Sequence, residues 1–125
     1  MTTAEAIRIM RQHLEGLFPK ICPHCQRRFA SLQEYVQVTQ PVGETLSYDA
    51  ELGDWNPAQP IGTMALSNCP CGTTLSLSSE GLPVSQMTQL LAWARIETKL
   101  RGITLQALLR EARYEIRRQA LAGTP

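Results

Sequence analysis

Four cysteines constrain this chain more than any other set of residues. They fall as two tight pairs, Cys22-Pro23-His24-Cys25 and Cys69-Pro70-Cys71-Gly72, separated by 43 residues, and no other cysteine is present. Two thiolates one or two positions apart on a sharp turn can point at a single ion, and two such turns supply the four ligands of a tetrahedral structural zinc site. The proline after the first cysteine of each pair fixes the backbone at the turn, and Gly72 supplies a permissive conformation after the second pair. The spacing therefore predicts one Zn2+ per chain, held by Cys22, Cys25, Cys69 and Cys71. Backbone N–H groups of both turns are expected to face the sulfurs, because four thiolates around a divalent cation leave a charge of about −2 to be spread.

Cys22-Pro23-His24-Cys25, followed by Phe29, and Cys69-Pro70-Cys71-Gly72 resemble the knuckles of zinc-ribbon domains, whose usual form is Cys-Pro-x-Cys-Gly. The resemblance covers residues 20 to 80 and implies a small antiparallel sheet organised by the metal. Two positions depart from the pattern. Gln26 stands where glycine is usual, and the second pair has one residue between its cysteines instead of two.

Other readings of the four thiols remain open at this level. Neighbouring thiolates oxidise readily once released from metal, so a thiol-based redox or metal sensor fits the same residues. The redox-switched heat-shock chaperone family also combines Cys-x-Cys with Cys-x-x-Cys, in the opposite order. Buried or disulfide-bonded cysteines without metal are the third reading, opposed by the strain of a Cys-x-Cys disulfide and by the lack of any sign of secretion.

A chain of 125 residues suits a single domain that buries about two thirds of its unfolded surface. Its apolar runs are too short and too charged to span a bilayer, and no secretory leader opens it, so a cytoplasmic protein is expected, where thiols stay reduced. The net charge of +1 conceals an uneven distribution: +3 over residues 1–28, −6 over 29–82, where no Lys or Arg occurs, and +4 over 83–125. An acidic middle between basic ends suggests that the ends pack near the middle, within one chain or across a dimer; solvated faces explain it as well.

Three segments follow. Residues 1–19 read as an amphipathic helix, with Thr2 and Glu5 at capping-box spacing, Ile7, Met10, Leu14 and Leu17 on one side, and Arg8, Arg11, Gln12 and Glu15 on the other. Residues 20–82 read as the zinc-ribbon-like β region. Tyr35–Thr39 alternates like a strand, Thr45–Tyr48 suits its return, and Asp49–Gly62, with Trp55, reads as a long loop. Thr63–Ser67 and Thr73–Ser78 form the clearest hairpin, its turn being the second knuckle. Residues 83–125 read as a helical hairpin. Ser85 and Thr104 are the expected caps, Arg101-Gly102 the break, and Ile103 with Leu108 a hydrophobic staple. The fold class is α+β: a small antiparallel sheet flanked by an N-terminal helix and a C-terminal helical hairpin.

For function, the sequence lacks a phosphate-cradling glycine loop and any recognisable nucleophile–base arrangement. His13-Leu14-Glu15 ahead of Cys22 and Cys25 superficially matches a zinc deaminase signature, but Ile21 stands where that signature has proline, and Cys69 and Cys71 would be left over. A full four-cysteine shell also leaves no open position for catalysis. No enzyme is expected. The leading expectation is a small zinc-binding regulatory or protein-interaction module, with a protein partner or a second copy engaged through helices 85–101 and 104–121. A nucleic-acid role rests on Arg27, Arg28, Arg110, Arg113, Arg117 and Arg118, which Glu111 and Glu115 interrupt.

Overall fold

The computed structural model describes residues 1–41 and 63–123, with the backbone alone for 63–66. It opens with α1 (Thr3–Glu15), started by the capping box that the sequence predicts: the Glu5 N–H donates to Thr2 Oγ1 at 3.1 Å, and the Thr2 N–H donates to Glu5 Oε2 at 2.9 Å. Ala6, Ile7, Met10 and Leu14 are buried along its inner face, whereas Leu17, past the last turn, is partly exposed. Arg11 corrects the expected partition, because it is buried rather than solvent-facing. It sits one turn beyond Ile7 and packs its aliphatic stem inward, while its Nη1 donates to Gln119 Oε1 at 2.9 Å and its Nε lies 3.3 Å from Glu15.

Pro19 leads into β1 (Lys20–Ile21), which pairs antiparallel with β2 (Arg28–Phe29) around the first cysteine pair. The stretch expected as a strand at Tyr35–Thr39 is helical instead: α2 runs Leu32–Val38. A cap decides against the alternation. The Glu34 N–H donates to Ser31 Oγ at 3.2 Å, the Glu34 carboxylate accepts from the Ala30 N–H at 3.1 Å, and Leu32, Tyr35 and Val36 bury at helical spacing. The expected return strand at Thr45–Tyr48 and the loop with Trp55 lie outside the described residues.

Strand β3 (Gln40–Pro41), β4 (Thr63–Asn68) and β5 (Thr74–Ser78) form a second antiparallel sheet in that order. Its β4–β5 hairpin is the predicted one, with Asn68 opposite Thr74 and Thr63 opposite Ser78. Leu75 and Leu77 are buried and Thr74 and Ser76 exposed, so β5 has one apolar and one polar face. Where the sequence suggests one small antiparallel sheet, the described residues form two, and the cysteine pairs lie at the turns of both.

Two long helices follow, α3 (Val84–Arg101) and α4 (Leu105–Ala122). Pro83 stands at the N-cap of α3, in extended backbone and without a side-chain cap, so Ser85 lies inside the first turn and does not cap as expected. Gly102 ends it at φ +63°, and Thr104 caps α4 through the Ala107 N–H at 3.1 Å. Met87, Leu90, Trp93 and Ala94 of α3 and Leu108, Leu109, Ala112, Ile116 and Ala120 of α4 are buried. The staple pair Ile103 and Leu108 joins the same core.

That core is continuous from the helices to the knuckles. Tyr35 packs edge-on against Phe18 and Phe29, with ring centroids 5.6 and 5.5 Å apart, and Cys22 and Cys69 belong to the same buried cluster. Trp93 Nε1 donates to Thr3 Oγ1 at 3.3 Å, and His13 Nε2 lies 2.9 Å from the Ser78 carbonyl, joining α1 to α3 and to the end of β5. Among the described residues, no helix is long and apolar enough to cross a membrane.

The caps separate two serine/threonine positions experimentally. Thr104→Ala is expected to lower stability by about 1 kcal/mol, or about 4 °C in melting temperature for a chain of this size. Ser85→Ala should shift stability by less than about 0.5 kcal/mol. Thermal unfolding followed by circular dichroism distinguishes the two.

Candidate metal centre

Each cysteine pair is shaped by the same local device. In the first, the Cys22 N–H donates to the Arg27 carbonyl at 2.9 Å and the Gln26 N–H returns to the Cys22 carbonyl at 3.0 Å. In the second, the Cys69 N–H donates to the Thr73 carbonyl and the Gly72 N–H returns to the Cys69 carbonyl, both at 2.8 Å. Gln26 and Gly72 each follow the second cysteine of their pair, and both take positive φ, +66° and +96°. A left-handed residue there is what turns the chain back behind the sulfurs. Gln26 adopts it without being glycine, and its Nε2 donates to the Pro23 carbonyl at 3.3 Å across the same turn. The substitution noted in the sequence therefore leaves the turn intact.

The two turns converge. The Sγ atoms of Cys22, Cys25, Cys69 and Cys71 all lie within 4.8 Å of one another. Across the knuckles, Cys22 Sγ is 3.7 Å from Cys71 Sγ and Cys25 Sγ is 3.6 Å from Cys69 Sγ. A tetrahedron with metal–sulfur bonds of about 2.3 Å has edges of about 3.8 Å. The four sulfurs that sequence spacing singles out are thus together in a cluster that can hold a metal ion, and the one-residue-shorter second pair does not keep its sulfurs out of it.

Burial divides the set. Cys22 and Cys69 are buried in the core, while Cys25 and Cys71 are exposed. The electrostatics divide it differently. The Cys71 thiol is drawn down to about 6 by the Thr73 hydroxyl, 3.2 Å from its sulfur, and by the Thr73 backbone N–H. Backbone N–H groups of Cys25 and His24 lower Cys22 against the opposing effect of burial. For Cys69, the Cys71 N–H is the largest single influence and lowers it, yet burial and the three neighbouring thiols together push it up to about 12. Four thiols crowded this closely cannot all ionise unless a cation shares the space, which is the electrostatic demand that a metal satisfies.

The sequence places Thr73 only at the start of a strand, and its hydroxyl beside the Cys71 sulfur is a contact that the spacing does not reveal. His24 and His13 lie outside the cluster. Of the arginines considered for nucleic acid, Arg117 Nη2 donates to the Val36 carbonyl at 3.4 Å, and Arg118 pairs with Glu115. Arg113 is lowered to about 10 by burial and by Arg110, and Arg27 lies over the Phe29 ring.

In the metal-free, reduced chain, Cys71 is expected to alkylate with a midpoint at about pH 6. Thr73→Val removes the leading cause of that depression and should move the midpoint upward. Mass-spectrometric mapping of labelled cysteines across a pH series reads both outcomes. No protein-family description matches the chain, and comparison with curated proteins and with solved structures yields no match.

Proposed function

We propose that this chain binds one zinc ion through Cys22, Cys25, Cys69 and Cys71, and that the ion serves structure rather than catalysis in a small module acting by contact with a protein partner. The observation that supports the metal is the convergence of four sulfurs from two remote turns, with cross-knuckle separations of 3.6 and 3.7 Å. Zinc is favoured over other ions because an all-thiolate set at tetrahedral spacing suits it, and because knuckle turns of this zinc-ribbon-like form commonly hold it. A shell completed by four protein ligands has no position for substrate or water, which argues for a structural role. When bound, the metal would tie the β1–β2 turn to the β4–β5 hairpin. The backbone N–H groups of both turns and the Thr73 hydroxyl would share the charge of the sulfurs.

A thiol sensor is the second reading, favoured by one observation: Cys25 and Cys71 are exposed on the outer side of the cluster, within reach of oxidants. Mild peroxide that releases metal and forms reversible disulfides, at doses an ordinary zinc finger withstands, would favour it.

Native mass spectrometry should find one zinc per chain, removed by chelator. Cys22→Ser and Cys71→Ser should each abolish stoichiometric metal and lower the melting temperature; unchanged metal content and stability in both would overturn the proposal. Affinity should fall as pH falls, because protons compete with the ion for the sulfurs.

A further inference from the structure

Helix α3 is apolar on two sides. Met87, Leu90, Trp93 and Ala94 face the core, and the same helix exposes Ala92, Ile96 and Leu100 four residues apart, with Ile96 60% and Leu100 76% exposed. Membership of its own core requires one such face; the second is left to water. Scattered exposed apolar residues are ordinary, but a contiguous stripe on one helix marks a contact surface. The stripe borders a groove of about 380 Å³, whose lining includes Met1, Ala92, Trp93 and Ile96 together with the carboxylates of Glu5 and Glu97.

We infer that a second copy of this chain covers this stripe, the two α3 helices lying side by side and parallel across a two-fold axis. The charges beside the stripe select the arrangement. With 3.6 residues per turn and Ile96 at the centre, Arg95 and Lys99 fall on one border and Glu97 on the other, where Arg101, one turn further on, is already paired with Glu111 at 2.8 Å. A two-fold axis along the helices sets the basic border of each against the acidic border of its partner. Each Glu97 then stands level with the gap between the opposite Arg95 and Lys99. An antiparallel two-fold would set like against like, which is repulsive. Leu100, the most exposed member, supplies apolar contact at one end, and Ile96 and Ala92 continue it towards the other. A single helix pair sits at the low end of specific interface size, so the association is a concentration-dependent monomer–dimer equilibrium. The inference deepens the reading of the chain as an interaction module by naming its partner, and it does not depend on the metal.

Sedimentation velocity of the full chain over a concentration series tests it, with metal content measured on the same samples so that the two readings fail separately. The dimer fraction should rise with concentration. Leu100→Glu, at an exposed position that the fold does not need, should weaken association by at least about tenfold, and Ile96→Gln should do the same if Leu100→Glu disturbs the helix. Arg95→Glu/Lys99→Glu should weaken it at low salt, and adding Glu97→Lys should restore it, a rescue that a damaged fold cannot give. A chain that stays monomeric throughout overturns the proposal, including one that instead holds a different protein on this face. A dimer indifferent to Leu100→Glu and Ile96→Gln, or a charge swap without recovery, also overturns it.

Discussion

The structure depends on two remote turns being brought to one point. Neither sheet stands on its own strength: β1–β2 is two residues long on each side, and β3–β4–β5 is a short hairpin with a two-residue edge. Sheets of that size are marginal in water. What joins them is the meeting of four sulfurs at the knuckles together with the apolar cluster immediately behind, where Cys22 and Cys69 share a core with Phe29 and Leu75. Packing and the ligation of any metal would therefore act on the same residues. The buried pair contributes to the core as small apolar groups, and the whole set of thiols makes a concentration of potential negative charge that protonation suppresses and that a bound cation would neutralise.

Around this centre the helices form a frame with its own logic. Helix α1 touches both α3 and α4, and α2 lies against α4, so the core-facing side of the helical hairpin is covered by elements that flank the first knuckle. Arg11 and Gln119, 108 residues apart in sequence, meet inside this frame. The edge-to-face triplet of Phe18, Tyr35 and Phe29 carries the packing from the end of α1 through α2 to the strand that leaves the first knuckle. Each of these aromatic pairs adds about 0.5–1.5 kcal/mol beyond burial alone.

Much of this was legible in the sequence where local chemistry and tertiary packing agree. The capping box at Thr2 and Glu5, the hairpin whose turn is the second knuckle, the left-handed Gly102 and the Thr104 cap all depend on neighbours within a few positions. The four sulfurs were legible because their chemistry allows few other uses. Helix α2 was not, because Tyr35–Thr39 satisfies a strand pattern and only the cap from Ser31, four positions upstream of Tyr35, tips the balance. Arg11 was assigned to solvent because a charge usually goes there; its burial depends on Gln119, which no local pattern reveals. Ser85 looked like a cap because serine often is one, but the N-cap is Pro83.

The division of the sulfur cluster into an inner and an outer pair has a kinetic consequence. Cys22 and Cys69 are walled off by core side chains, whereas Cys25 and Cys71 face solvent. A bound ion would arrive and depart past the outer pair, so exchange with a donor or competing chelator would proceed stepwise from that side. The thiols in the core would be the last to let go.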